Sequence, residues 1–193
     1  MYNNANNILL MIRITGGTAK GQQLKLPRNC IVRPTTDRVR EAIFSILASY
    51  LGSWSRGLDL YAGSGALGIE ALSRGAEWVD FVDQEPRCCA IIKQNLTKVD
   101  FFEKAHVYCR SATKALDFLT SNYDIIFMDA PYSDLTIKDV ITKIANSELV
   151  GDQSIIVVSH ASRFPLAHGY DGLYLVKEKQ YGDTCISMYG KAD

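Results

Sequence analysis

An apolar strand that runs straight into a glycine turn and then a helix is the strongest constraint in this sequence. Gly57-Leu58-Asp59-Leu60-Tyr61 passes into Ala62-Gly63-Ser64-Gly65-Ala66-Leu67-Gly68, a GxGxxG pattern, with a helix expected from Ala66. The same alternation recurs three times. WVDFVD (78–83) leads to a helix from Pro86, HVYC (106–109) to one from Ala112, and YDIIFMD (123–129) to one near Leu135. Repeated strand and helix predict an α/β fold whose parallel sheet carries crossover helices on both faces. SIIVVS (154–159) follows, then a loop through His168 and Gly169. Two last strand-like runs, LYLVKEK (173–179) and CISMYG (185–190), are split by Tyr181-Gly182-Asp183 and should close as an antiparallel hairpin. The expected core is therefore Rossmann-like, a mostly parallel sheet of seven strands.

Upstream, the chain is polar to Asn7 and then alternates short apolar positions with glycine turns, as a small β-hairpin would. We expect residues 1–10 to be disordered or an extension and 11–193 a single domain, with 11–35 a β-hairpin appendage and 36–193 the core. Thr36 or Asp37 can cap a helix that places Val39, Ile43, Ile46, Leu47, Tyr50 and Leu51 on one face.

Composition narrows the function. The 193 residues hold 47% hydrophobic and 22% charged side chains, which argues against disorder. No apolar run approaches a bilayer span, and the first residues lack the basic start of a secretory signal, so a cytoplasmic protein is expected. Cys30, Cys88, Cys89, Cys109 and Cys185 show no CxxC or Cys/His spacing, and His106, His160 and His168 no metal pattern; neither disulfide nor metal is expected. Trp54 and Trp78 read as packing anchors. Net charge is zero, yet Met11 to Ser45 carries seven basic residues against two acidic ones, a place where a polyanion could dock.

In an open α/β sheet the ligand crevice lies beyond the carboxyl ends of the strands. Here those ends bring Asp59, Asp83, Glu85 and Asp129. A dinucleotide carries a diphosphate, which nearby carboxylates repel. S-adenosylmethionine carries a sulfonium and an ammonium instead, so an acidic mouth favours the methyl donor, with Asp83 placed for its ribose hydroxyls. Asp129-Ala130-Pro131-Tyr132 supplies a substrate side. The Asp129 carboxylate and the Ala130 carbonyl can accept both hydrogens of an exocyclic amine, Pro131 stiffens the turn, and Tyr132 offers a flat face to an extruded base. Such a pair fits guanine N2 and adenine N6 alike, and an NAD-dependent oxidoreductase on the same glycine turn is the rival of another class. Displacement at a methyl carbon needs no metal.

The chain resembles the bacterial small-subunit (16S) ribosomal RNA guanine-N2 methyltransferases, within the class I enzymes that use S-adenosylmethionine. The likeness runs from about Met11 to Gly190 through RITGGTAKGQQLKLP, RPTTDRVREAIFSIL, LDLYAGSGALGIEALSRGA, FVDQEPRC, DAPY and EKQYGDT. It implies methyl transfer from S-adenosylmethionine to the N2 amine of one guanine in 16S ribosomal RNA, either naked or in the small subunit, by a monomer with no membrane or metal. It implies cofactor contacts at Asp59, Ala62, Gly63, Ser64, Gly65, Asp83, Gln84, Ser111, Ala112 and Asp129. The catalytic set becomes Asp129, Ala130, Pro131 and Tyr132, and the RNA contacts Arg13, Lys20, Arg33, Arg38 and Arg40. Three positions depart from the family pattern. Ala130 replaces a proline but keeps its carbonyl, Ser111 stands where an acidic residue commonly meets the adenine amine, and Ser159-His160 replaces a frequent Glu-His.

Overall fold

Near-continuous burial along the central strands, covered on both faces, is what organises the molecule. The structure, a computed structural model, describes residues 12–27, 36–131, 134 and 136–191; the expected extension at 1–10, Cys30, Arg33 and Tyr132 lie outside the described residues. The chain opens with a two-stranded antiparallel ribbon, β1 (Ile12–Arg13) and β2 (Gln23–Leu24). Helix α1 (Asp37–Tyr50) begins where expected, with Thr36 Oγ1 accepting the Val39 amide at 3.3 Å. It buries Val39, Arg40, Ile43, Phe44 and Leu47, while Tyr50, read as part of the apolar face, turns outward at its last residue.

The core follows as β3 (Arg56–Leu60), α2 (Ala66–Ser73), β4 (Trp78–Asp83), α3 (Pro86–Lys98), β5 (Ala105–Cys109), α4 (Ala112–Ala115), β6 (Tyr123–Met128), α5 (Ile137–Ala145), β7 (Val150–Ala161), β8 (Gly169–Tyr170), β9 (Leu173–Tyr181) and β10 (Thr184–Lys191). The strands join in the order β5-β4-β3-β6-β7-β10-β9-β8. The first five are parallel, and β10 pairs antiparallel with both β7 and β9. The seven expected strands are all present. An eighth, two-residue edge strand lies in the segment read as a loop, and it is too short to carry a periodic signal.

Because side chains alternate along a strand, each face acquires its own apolar layer. Ile125 and Phe127 of β6 pack with Phe44, Leu67, Ile69 and Ile92 from α1, α2 and α3. Ile126 and Met128 pack with Ala115, Val140 and Ile144 from α4 and α5. The N-terminal ribbon is fastened to α2 through buried polar groups. Glu70, fully buried, accepts from the Thr15 amide (2.8 Å) and hydroxyl (2.7 Å) and pairs with Arg74 (2.9 Å). Ser73 Oγ accepts from the Ala19 amide and donates to the Gly16 carbonyl. Among the described residues no helix is long and apolar enough to cross a membrane.

Candidate cofactor and substrate site

The mouth of the parallel half is built by a sharp turn that glycine makes possible. Beyond β3 the chain enters the left-handed region at Tyr61 (φ 62°), Gly63 (φ 56°) and Gly65 (φ 78°), and Gly65 caps α2. A tyrosine in that region stores about 1–2 kcal/mol of backbone strain. Its phenol lies against Asp134 and Thr136 beyond the Asp129-Ala130-Pro131 turn, and burial first, then Asp134, pushes its pKa up to about 12. Tyr61 thus links the two loops of the mouth. Sequence reasoning placed it in the strand, since nothing in its side chain announces a positive φ.

The turn is tied to β4. The Ala62 amide donates to the Val82 carbonyl (3.0 Å) and the Gly65 amide to the Ala62 carbonyl (2.7 Å). Asp83 accepts the Gly63 amide at 2.8 Å on one oxygen and the Glu85 amide at 2.8 Å on the other. Gly68 presses α2 onto β4 so closely that a Cβ would sit 2.4 Å from the Phe81 ring. Its amide donates to Asp59 at 2.9 Å.

Three carboxylates meet here. Asp59 is 1% exposed, and its pKa rises to about 8. Burial is the main cause, partly offset by the Gly68 amide, with the charges of Asp129 and Asp83 adding to the rise. Asp83 is also raised by burial and by Glu85, against the two amides it accepts. Asp129 is half-buried at the end of β6, Ala130 is buried and Pro131 is exposed. Gln84 and Glu85 are exposed, and Ser111 and Ala112 follow β5 on the same side of the sheet. Asp59, Gly63, Gly65, Asp83, Ser111 and Asp129 therefore gather at the carboxyl ends of four adjacent strands. The arrangement can hold a cation, since any positive group there relieves the mutual repulsion of like charges.

The basic residues divide. Arg13, Lys20 and Arg38 are exposed. Arg40, expected to face RNA, is fully buried instead. Its guanidinium donates to the Arg13 carbonyl (2.6 Å) and pairs with Asp37 (2.7 Å), so its charge is spent inside the protein. Trp54 packs edge-on against Phe44, and Trp78 Nε1 donates to Asp80, as packing anchors do. Buried Cys89 has its thiol pushed to about 12, chiefly by burial, which keeps it unreactive.

The spacing argument against metal ligands missed one cluster. Strand pairing brings together His160, Glu178 and Cys185, whose donor atoms lie within 4.8 Å of one another. They are already engaged: Ser187 Oγ lies 2.9 Å from His160 Nε2 and 2.8 Å from Glu178, and His160 Nδ1 faces the Phe164 and Ala161 carbonyls.

A family model described as "Conserved hypothetical protein 95" matches residues 12–190. The chain belongs to this family. A relative in Bacillus subtilis, YlbH, provisionally named an rRNA methyltransferase, is 36% identical over 183 residues, 93% of this chain and 99% of its own. Ribosomal RNA small subunit methyltransferase D of Escherichia coli is 31% identical over 178 residues, 92% of this chain and 89% of its own. The solved structure of the Escherichia coli protein yhhF, described provisionally as a methyltransferase, superposes with a TM-score of 0.83 at 29% identity and covers 94% of this chain and 98% of its own. The family fold is that of class I methyltransferases, with its parallel sheet and antiparallel C-terminal strands.

Proposed function

We propose that this chain transfers a methyl group from S-adenosylmethionine to the N2 amine of a guanine in 16S ribosomal RNA. One observation supports the reading: Asp83 and Asp129 converge at the mouth, with buried Asp59 behind them, beside the Gly63–Gly65 turn, an acidic setting suited to a sulfonium and unsuited to a diphosphate. Methyltransferase activity on ribosomal RNA is supported by the family relatives.

The bound cofactor would supply a methyl group on positively charged sulfur, held by Asp59, Asp83 and the Gly63–Gly65 turn. Asp83 accepts one backbone amide on each oxygen and the Cys88 thiol as well, and the acceptor capacity that remains would meet the ribose hydroxyls. Ala130 is buried, so the turn that presents its carbonyl is packed in place even without the family's proline. The Asp129 carboxylate and that carbonyl accept the two hydrogens of the amine, aiming its lone pair outward, and Asp129 stands ready for the proton that the methylated amine sheds. Rate comes from orientation and from an electrostatic setting prepared in advance. Of the cations expected to contact phosphates, Arg13, Lys20 and Arg38 are exposed among the described residues.

The test is incubation of the purified protein with methyl-labelled S-adenosylmethionine and either small ribosomal subunits or naked 16S ribosomal RNA, followed by digestion to nucleosides. Labelled N2-methylguanosine is expected. Labelled N6-methyladenosine would overturn the choice of base, and binding of NAD without S-adenosylmethionine in equilibrium dialysis would overturn the reaction class.

A further inference from the structure

Asn95 lies in the last turns of α3 and is fully buried. A buried carboxamide is costly unless its donors and acceptor are met, and here they are. Asn95 Oδ1 accepts the Lys25 amide at 2.8 Å, while Nδ2 donates to the Lys25 carbonyl at 3.0 Å and to the Ser64 carbonyl at 2.9 Å. The reciprocal pair with Lys25 imitates the bonds that a neighbouring strand residue would make, so Asn95 acts as one rung of a partner strand just beyond β2. Its remaining donor reaches the peptide between Gly63 and Gly65. Both glycines sit at positive φ and have wide backbone freedom, so a fixed point between them matters.

The ribbon has other anchors that do not involve this turn. Lys25 Nζ donates to Gln94 and Lys98 Nζ to the Gln23 carbonyl on the exposed rim, and Ser73 holds Gly16 and Ala19 at the far end of α2. Asn95 stands apart from these because one side chain joins the ribbon, α3 and the glycine turn, across 31 positions to Ser64 and 70 to Lys25.

We infer that Asn95 is a positioning residue that fixes the Ser64 peptide for cofactor binding and couples the glycine turn to the N-terminal ribbon. The inference rests on the reading that this turn holds S-adenosylmethionine. The coupling runs both ways: cofactor that steadies the turn also steadies the ribbon at Lys25.

Two variants and one measurement on the unmodified protein test it. Asn95→Ala should raise the Kd and KM for S-adenosylmethionine about tenfold, the loss of roughly one buried hydrogen bond, with kcat at saturating cofactor nearly unchanged. Ser73→Ala, which loosens the same ribbon at its other end, should lower the melting temperature and leave Kd alone. In the unmodified protein, cofactor should slow hydrogen exchange of the Lys25 amide and leave the Ala19 amide as it was. A wild-type Kd in Asn95→Ala, an equal rise in Ser73→Ala, or unchanged exchange at Lys25 would each overturn the inference. Should Asn95→Ala fail to fold, the exchange measurement decides alone. Failure of the unmodified protein to bind S-adenosylmethionine in calorimetry would instead sink the cofactor reading beneath it.

Discussion

Both halves of the sheet bury polar groups, and the mouth of the parallel half treats them differently from the antiparallel strands. In the antiparallel half, His160, Ser187 and Glu178 form a chain across β7, β10 and β9, and Tyr189 donates to the Ala167 carbonyl; the groups answer one another. In the parallel half, Asp59, Asp83 and Asp129 crowd three acidic groups together, Asp59 driven toward its neutral form, beside backbone held at positive φ in Tyr61, Gly63 and Gly65. Polar groups that satisfy one another stabilise a fold. Acidic groups crowded together beside strained backbone cost stability even where amides answer them, and their persistence marks a place where a ligand gains from them. The sharpest way to break this contrast is Asp129→Ala. We expect turnover to fall by at least about 10²–10³-fold, as when a group aimed at the reacting atoms is removed, while the Kd for S-adenosylmethionine stays within a few-fold of wild type. Single-turnover methylation and calorimetry on the same preparation check both, and wild-type turnover would remove Asp129 from the catalytic set.

A second prediction uses the burial of Asp59, which its acidic neighbours reinforce. Asp59 has its folded-state pKa raised from 3.8 to about 8, so the native protein binds a proton that the unfolded chain releases between those values. Its stabilising contribution is full below pH 3.8 and is lost as pH climbs to 8, at up to about 1.4 kcal/mol per pH unit. Asp59→Asn removes the titrating group and retains an oxygen for the Gly68 amide. Denaturant unfolding of the two proteins between pH 6 and pH 8 should show the wild type losing stability relative to the variant. Parallel curves would mean that Asp59 is ionised throughout and that the mouth is less strained than its carboxylates imply.

How far these features could be read in the sequence depends on how local their causes are. The strands and the helix from Thr36 were legible because apolar runs and a capping hydroxyl act within a few residues. The glycine turn was legible for the same reason. Gly68 was legible only as the third glycine of a pattern; its reason, the Phe81 ring 13 positions away, appears in space. Replacing it with alanine puts a Cβ 2.4 Å from that ring and 2.9 Å from Val79, and should cost about 1–3 kcal/mol in denaturant unfolding. Arg40, Glu70 and Asn95 were harder still. A charged or amide side chain on a helix reads as solvated, and the partners that bury these three, the Arg13 carbonyl, Thr15 and Lys25, belong to a ribbon far back in the chain. Arg40 shares the face of Phe44 and Leu47, so helical spacing alone held a hint of its burial. The His160, Glu178 and Cys185 cluster had no local trace, because it comes from register across three strands.

That cluster offers the gentlest test of the contrast. Ser187→Ala removes the hydroxyl between His160 and Glu178. Glu178 is exposed and can turn to water, whereas His160 is buried with Nε2 left facing a methyl group, so the cost is that of one unmet buried group, about 1–3 kcal/mol. Thermal unfolding should register it. The Kd for S-adenosylmethionine and the methylation rate at saturating RNA should not move, since the loss falls in the half whose polar groups serve only each other. A drop in methylation with unchanged stability would mean that His160, at the carboxyl end of β7 beside the Asp129 strand, answers to the reaction as well as to the sheet. The division between strands whose polar groups serve the fold and a mouth whose polar groups serve a ligand would then have to be redrawn through β7.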